Sequence, residues 1–86
     1  MYALEFSPSA LKLLDRLKKS HAHIAQRIVL SIEELRKDPF RGKKLLGELA
    51  DLRSLRVGEY RVLYTILQEK ILIQVVKIAH RREVYR

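Results

Sequence analysis

Eighty-six residues and 10.1 kDa leave room for one core, so residues 1–86 are expected to form a single domain. Apolar side chains make up 48% of the chain and charged ones 33%, a balance that excludes disorder, and the absence of cysteine excludes disulfides, thiolate metal sites and a thiol nucleophile. Eighteen Lys and Arg against ten Asp and Glu give a net charge of +8, which suits a polyanion or an acidic partner. The excess is lopsided: residues 1–40 carry seven basic and five acidic side chains, residues 41–86 eleven and five. Three His without Cys make a weak metal set, so neither a metal nor a cofactor is expected. No apolar run approaches the ~20 residues of a membrane span and no secretory leader is recognisable, so a cytoplasmic protein without membrane attachment is expected.

In chain order, Tyr2, Leu4 and Phe6 alternate with Ala3, Glu5 and Ser7, the period of a short strand with one face inward. Ser7-Pro8 is a helix start: the hydroxyl can cap, and proline fits the first turn, where no amide hydrogen is needed. Ala10, Leu13, Leu14 and Leu17 follow at helical spacing, with Lys12, Asp15, Arg16 and Lys18 outside. Lys19-Ser20-His21 interrupts the pattern. A second helix then carries Ile24, Ile28, Ile32 and Leu35 on one stripe, and Asp38-Pro39 stops it. So short a link predicts a helical hairpin. Residues 40–51 read as a connection rich in Lys, Arg and Gly.

Three strands are predicted after it: Leu52 to Val57, Tyr60 to Leu67 and Ile71 to Ala79, joined by Gly58-Glu59 and Gln68-Glu69-Lys70. Links of hairpin length make them an antiparallel meander. In the middle strand Tyr60, Val62, Tyr64 and Ile66 share one face, and Arg61, Leu63, Thr65 and Leu67 the other. The third strand is so rich in Ile and Val that both its faces are expected to be at least partly covered. The predicted fold is a two-layer α+β domain of order β-α-α-β-β-β, with the helices packed on one sheet face and the other face available for function.

Arginine is an unusual choice inside a strand, and its fork of donors fits a phosphodiester. Arg61 begins the middle strand and Arg81 ends the next, so antiparallel pairing should bring the two together, with Arg53 and Arg56 in the adjoining strand and Lys43 and Lys44 within reach. Each has a plainer reading. Arg56 could pair with Glu59 or Glu83 to tie the sheet end together, Tyr60 and Tyr64 could be packing residues, and His80 alone would be a surface histidine.

The run Leu55-Arg56-Val57-Gly58-Glu59-Tyr60-Arg61-Val62-Leu63-Tyr64, with His80-Arg81-Arg82-Glu83-Val84-Tyr85 after it, resembles the signature of the RelE/ParE superfamily of toxins from toxin–antitoxin modules, its RelE branch above all. The likeness in length, element order and the Asp38-Pro39 stop spans essentially the whole chain. The resemblance implies a ribosome-dependent, metal-independent mRNA endonuclease in which the ribose 2′-hydroxyl attacks the neighbouring phosphate, and a cognate antitoxin that inhibits it and carries the hetero-oligomer to operator DNA. It implies catalytic roles for Arg61, Arg81, Tyr85 and Arg56, with RNA contacts from Lys43, Lys44, Arg53, Arg82 and Arg86. The family pattern places two lysines where Leu52 and Ser54 stand here, and neither can take a proton at pH 7. His80, with a reference pKa of ~6.5, or Glu48 is the expected proton acceptor, unless the ribosome itself positions the hydroxyl. The alternatives are a ParE-like gyrase inhibitor without nuclease activity and a catalytically silent antitoxin-binding homologue.

Overall fold

In the computed structural model, which describes residues 1–85, strand β1 (Ala3–Phe6) leads into helices α1 (Pro8–Ser20) and α2 (Ala22–Leu35). Strands β2 (Lys43–Lys44), β3 (Arg53–Val57), β4 (Tyr60–Leu67) and β5 (Leu72–His80) follow. Together they make one sheet of order β1-β5-β4-β3-β2. The meander β3-β4-β5 is antiparallel as expected, but the sheet is mixed, because β1 crosses over to lie parallel to β5. A further strand, β2, lies in the expected connection, where it pairs antiparallel with β3. Two residues are too few for any periodicity to reveal.

Both helices bury their stripes on one sheet face. Ala10, Leu14 and Leu17 of α1 and Ala25, Ile28, Ile32 and Leu35 of α2 meet Val57, Val62, Tyr64, Ile73, Val75 and Ile78. Each fully buried Leu or Ile contributes about 1.5–3 kcal/mol of transfer free energy. A single residue, His21, separates the helices. The end of α2 is tied to β1 twice: the Tyr2 amide donates to the Arg36 carbonyl (3.0 Å), and Arg36 Nε donates to the Tyr2 carbonyl (2.9 Å).

Two hydroxyl groups fix the parts that lack such a stripe. Ser7 caps α1 by accepting from the Ala10 amide (3.1 Å), and it donates to the Val76 carbonyl (2.6 Å). Val76 is the extra residue of a bulge: Tyr64 pairs with Val75 and Leu63 with Lys77, so Val76 has no counterpart on β4. The buried Tyr64 hydroxyl donates to the Pro39 carbonyl (2.7 Å) and accepts from the Gly42 amide (2.9 Å), which clasps the turn that feeds β2. A Cβ on Gly42 would lie 2.5 Å from that oxygen.

The β4–β5 turn ends on Ile71 in the left-handed region (φ 50°), so β5 begins one residue later than its apolar run suggests. For a β-branched side chain this conformation is costly.

Burial pushes the Tyr64 phenol above its ordinary value of 10.0, while the Gly42 amide and the nearby Arg53 charge pull it partly back. The folded state therefore favours the neutral phenol. That preference counts in full below pH 10 and is lost as pH climbs past the unfolded value toward the raised folded one. Tyr64→Phe should cost about 1–3 kcal/mol, because it strands a buried amide and a buried carbonyl. Urea denaturation at neutral pH measures the loss, with an unchanged m-value showing that the same surface is exposed on unfolding.

Candidate active site

The face of the sheet away from the helices is built in rows across paired strands. Lys43, Ser54, Leu63 and Lys77 make one row, and Arg56, Arg61 and Ala79 the next. Beyond them the ladder continues by one bond, from the Arg81 amide to the Glu59 carbonyl (2.8 Å), which places Arg81 diagonally across from Arg61. This open face thus carries the cations Lys43, Arg56, Arg61, Lys77 and Arg81.

The floor between them is apolar. Leu63, Ala79 and Val84 form a second small core, joined by Leu45 and Leu52. Val84 is 2% exposed, because the turn over residues 81–85 folds back across the sheet; Lys77 Nζ donates to the Glu83 carbonyl (3.4 Å) beneath it. Leu52 packs into this floor. Ser54 is 4% exposed and accepts from Arg61 Nη1 (3.4 Å).

Arg56 and Arg61 are direct cross-strand partners, which brings their Cβ atoms within about 5 Å. Among the described residues neither pairs with a carboxylate. Arg56 Nε reaches only the Gly58 carbonyl, at 3.4 Å. The plainer alternative, Arg56 paired with Glu59 or Glu83, is not formed: Glu59 takes Arg81 instead, with Nε 2.8 Å from Oε2. Guanidinium groups facing each other without a counter-charge repel, and an anion between them would relieve the repulsion.

The structure separates several residues that sequence reasoning had grouped. His80 pairs with Tyr60 and meets its ring edge-on, with centroids 5.5 Å apart, so it belongs to the helix side of the sheet, opposite Arg61. Its Nδ1 accepts from the Arg82 amide (3.3 Å). His80 and Arg61 therefore lie on opposite sides of the sheet. Lys44 and Arg53 pair with each other, and Arg53 with Tyr64, so they too belong to the helix side. Arg53 is engaged there, donating to the carbonyls of Gly42 (2.7 Å) and Phe40 (3.2 Å) with its guanidinium 5.1 Å from the Phe40 ring centre. In each case the reason is the period of two along a strand.

Glu48 lies in a turn (Gly47–Leu49) beyond the end of β3 remote from Arg56. Tyr85 and Arg82 lie exposed on the C-terminal turn, and Arg86 is outside the described residues. Lys77 escaped the sequence reading because the bulge reverses the alternation of β5, and the spacing Ile73, Val75, Ile78 was the signal for it. Among the described residues no three His, Cys, Asp or Glu side chains gather to hold a metal, and no helix is long and apolar enough to cross a membrane.

A small α+β domain with guanidinium groups over one sheet face has close relatives. Residues 4–85 match the family model described as ParE toxin of type II toxin–antitoxin system, parDE. The chain belongs to this family, within the RelE/YoeB/ParE group of toxins that share its fold. It is 33% identical over 86 residues to Toxin RelG of Mycobacterium tuberculosis, across 99% of this chain and 97% of the relative. The toxin–antitoxin complex RelBE2 from the same organism holds a chain 33% identical, with a TM-score of 0.81 over 93% of this chain and 98% of that one. In the archaeal RelE–RelB complex from Pyrococcus horikoshii the figures are 26%, 0.73, 96% and 98%.

Relieving the facing charges should stabilise the fold. Arg56→Thr, which keeps a good strand former, is expected to add about 0.2–1 kcal/mol at low ionic strength. The gain should shrink as salt rises, which thermal unfolding across a salt series would show.

Proposed function

We propose that this toxin is an endoribonuclease that cuts mRNA on the ribosome without a metal ion. The observation that carries the reading is the facing pair Arg56 and Arg61, without a carboxylate among the described residues, with Arg81 diagonal to it. In the reaction the 2′-oxygen loses its proton and bonds to the adjacent phosphorus. The bond from phosphorus to the 5′-oxygen breaks, leaving a 2′,3′-cyclic phosphate and a 5′-hydroxyl. Arg56 and Arg61 hold the non-bridging oxygens as charge builds on the phosphorane, and Arg81 stabilises the departing 5′-oxygen by hydrogen bonding. The 5′-oxygen takes its final proton from solvent, because a guanidinium does not give one up. Tyr85, exposed on the same turn as Arg81, orients the nucleotide in this reading, while Lys43 and Arg82 guide the backbone.

The helix-side position of His80 bears on the proton step. With that ring turned away, the 2′-proton leaves to hydroxide or to a group of the ribosome. The cleavage rate should then rise with pH and show no inflection near the histidine range of ~6.5. His80→Ala should keep most of the activity. A plateau above pH 7 that His80→Ala abolishes would restore the histidine as base.

The relatives solved as toxin–antitoxin complexes support a cognate antitoxin for this chain as well; in this reading the antitoxin carries the complex to operator DNA. Inside the cell the cytoplasm is the compartment where ribosome and message are met.

A second reading, inhibition of DNA gyrase without cleavage, is favoured by the ParE description of the matching family. Induced expression separates the two. Under the nuclease reading, Arg61→Ala and Arg81→Ala each cut cleavage of ribosome-bound message by about 10²–10³-fold and relieve growth arrest. If both variants remain as toxic as the parent while gyrase–DNA breaks accumulate, the gyrase reading holds.

A further inference from the structure

Arg81 is fixed at two points by one residue. Its amide donates to the Glu59 carbonyl (2.8 Å), and its Nε lies 2.8 Å from the Glu59 carboxylate. Both side chains are more than half exposed, at 56% and 58%. An ion pair in that much solvent contributes little to stability. It also lowers the positive charge of a face on which Arg56 and Arg61 pair with no carboxylate among the described residues. On both counts Glu59 is a poor choice for fold stability or for attraction of RNA.

What it supplies is order. A guanidinium has one N–H at Nε and four on its two Nη atoms. With Nε held against the Glu59 carboxylate, Nη N–H groups remain for a further ligand, and no hydrogen bond to another described residue occupies them. The carboxylate itself sits on the tight Gly58-Glu59 turn, where Gly58 takes φ 60°, so its backbone is fixed from both sides by the β3–β4 hairpin.

We infer that Glu59 is a positioning residue, which holds Arg81 by its Nε edge so that its Nη groups meet the scissile phosphate group held by Arg61. The inference rests on the nuclease reading above. It has an unusual signature, because the charge of Glu59 and its placement act in opposite directions. Removing the carboxylate strengthens the general attraction for RNA while it frees Arg81 to wander, and a guanidinium displaced by an ångström loses much of its effect on the transition state.

The experiment compares the parent with Glu59→Ala and Glu59→Gln in two assays: cleavage of message on programmed ribosomes at saturating toxin, and binding of an RNA oligonucleotide made uncleavable by 2′-O-methylation. Glu59→Ala should bind the oligonucleotide as tightly as the parent or a few-fold tighter, yet cleave about tenfold or more slowly. Glu59→Gln keeps an oxygen for Nε and should recover part of the rate. In an Arg81→Ala background, Glu59→Ala should add no further loss. A parent that cuts while Glu59→Ala cuts equally fast overturns this inference alone, as does an undiminished Glu59→Ala effect in the Arg81→Ala background. A parent that cuts no ribosome-bound message overturns the nuclease reading and this inference with it.

Discussion

The hydrogen bond from the Ser7 hydroxyl to the Val76 carbonyl holds together features that lie far apart in the chain. Val76 is the unpaired residue that reverses the alternation of β5. Before it Ile73 and Val75 face the helices; after it Ile78 does, and Lys77 and Ala79 turn to the open face. Strict alternation from Val75 would instead send Lys77, Ala79 and Arg81 into the helix–sheet core, where an unpaired charge is untenable. The same hydroxyl caps α1, so the helix that covers the sheet and the bulge that orients its last strand are set by one side chain. A bulge next to a functional group is a common way to re-aim a side chain, and here it aims Arg81 toward Arg61.

On the open face, stability and function pull apart. Apolar Leu63, Ala79 and Val84 knit the C-terminal turn to the sheet, while Arg56 and Arg61 face each other without a counter-charge among the described residues. The helix side shows the opposite policy. There Arg53 is held by two carbonyls and an aromatic ring, and the Tyr64 hydroxyl is satisfied in both directions. Facing guanidinium groups without a counter-charge, in an otherwise well-satisfied fold, are what the proposed function would require of a site for an anion. Tyr64 reaches this site indirectly: by clasping Pro39 and Gly42 it fixes where β2 leaves the turn, and so which side of the sheet Lys43 takes.

The architecture was legible because apolar periodicity carries it. The stripes of α1 and α2, the alternation of β4 and the short turns of the meander all stand in the sequence, as does the Ser7-Pro8 cap. What periodicity cannot carry was missed. Lys43-Lys44 is too short to show a pattern, and Ile71 adopts a conformation that sequence rules assign to glycine. In β5 the change from a spacing of two to one of three, at Ile73, Val75 and Ile78, is visible in hindsight, yet a strand rich in Ile and Val on both faces conceals it. That one concealed shift accounts for the neglect of Lys77. The partner of Glu59 was equally hidden, since Arg56 is nearer in sequence while Arg81 is brought to it by the end of the β4–β5 ladder.

Under the proposed reaction the site is rich in charge and poor in bases, and that imbalance has a physical consequence. Guanidinium groups can stabilise a phosphorane but cannot bend RNA so that the 2′-oxygen, the phosphorus and the 5′-oxygen fall in line. In flexible single strands that alignment is rare, and holding it is worth orders of magnitude in rate. A sheet face studded with guanidinium groups supplies attraction rather than a grip on both flanks of a scissile bond. An assembly that already holds the message in a bent path would supply alignment, and this face would supply the charge. Under the proposed function, dependence on the ribosome would be a division of labour: electrostatics from the toxin, geometry from the machine that reads the message.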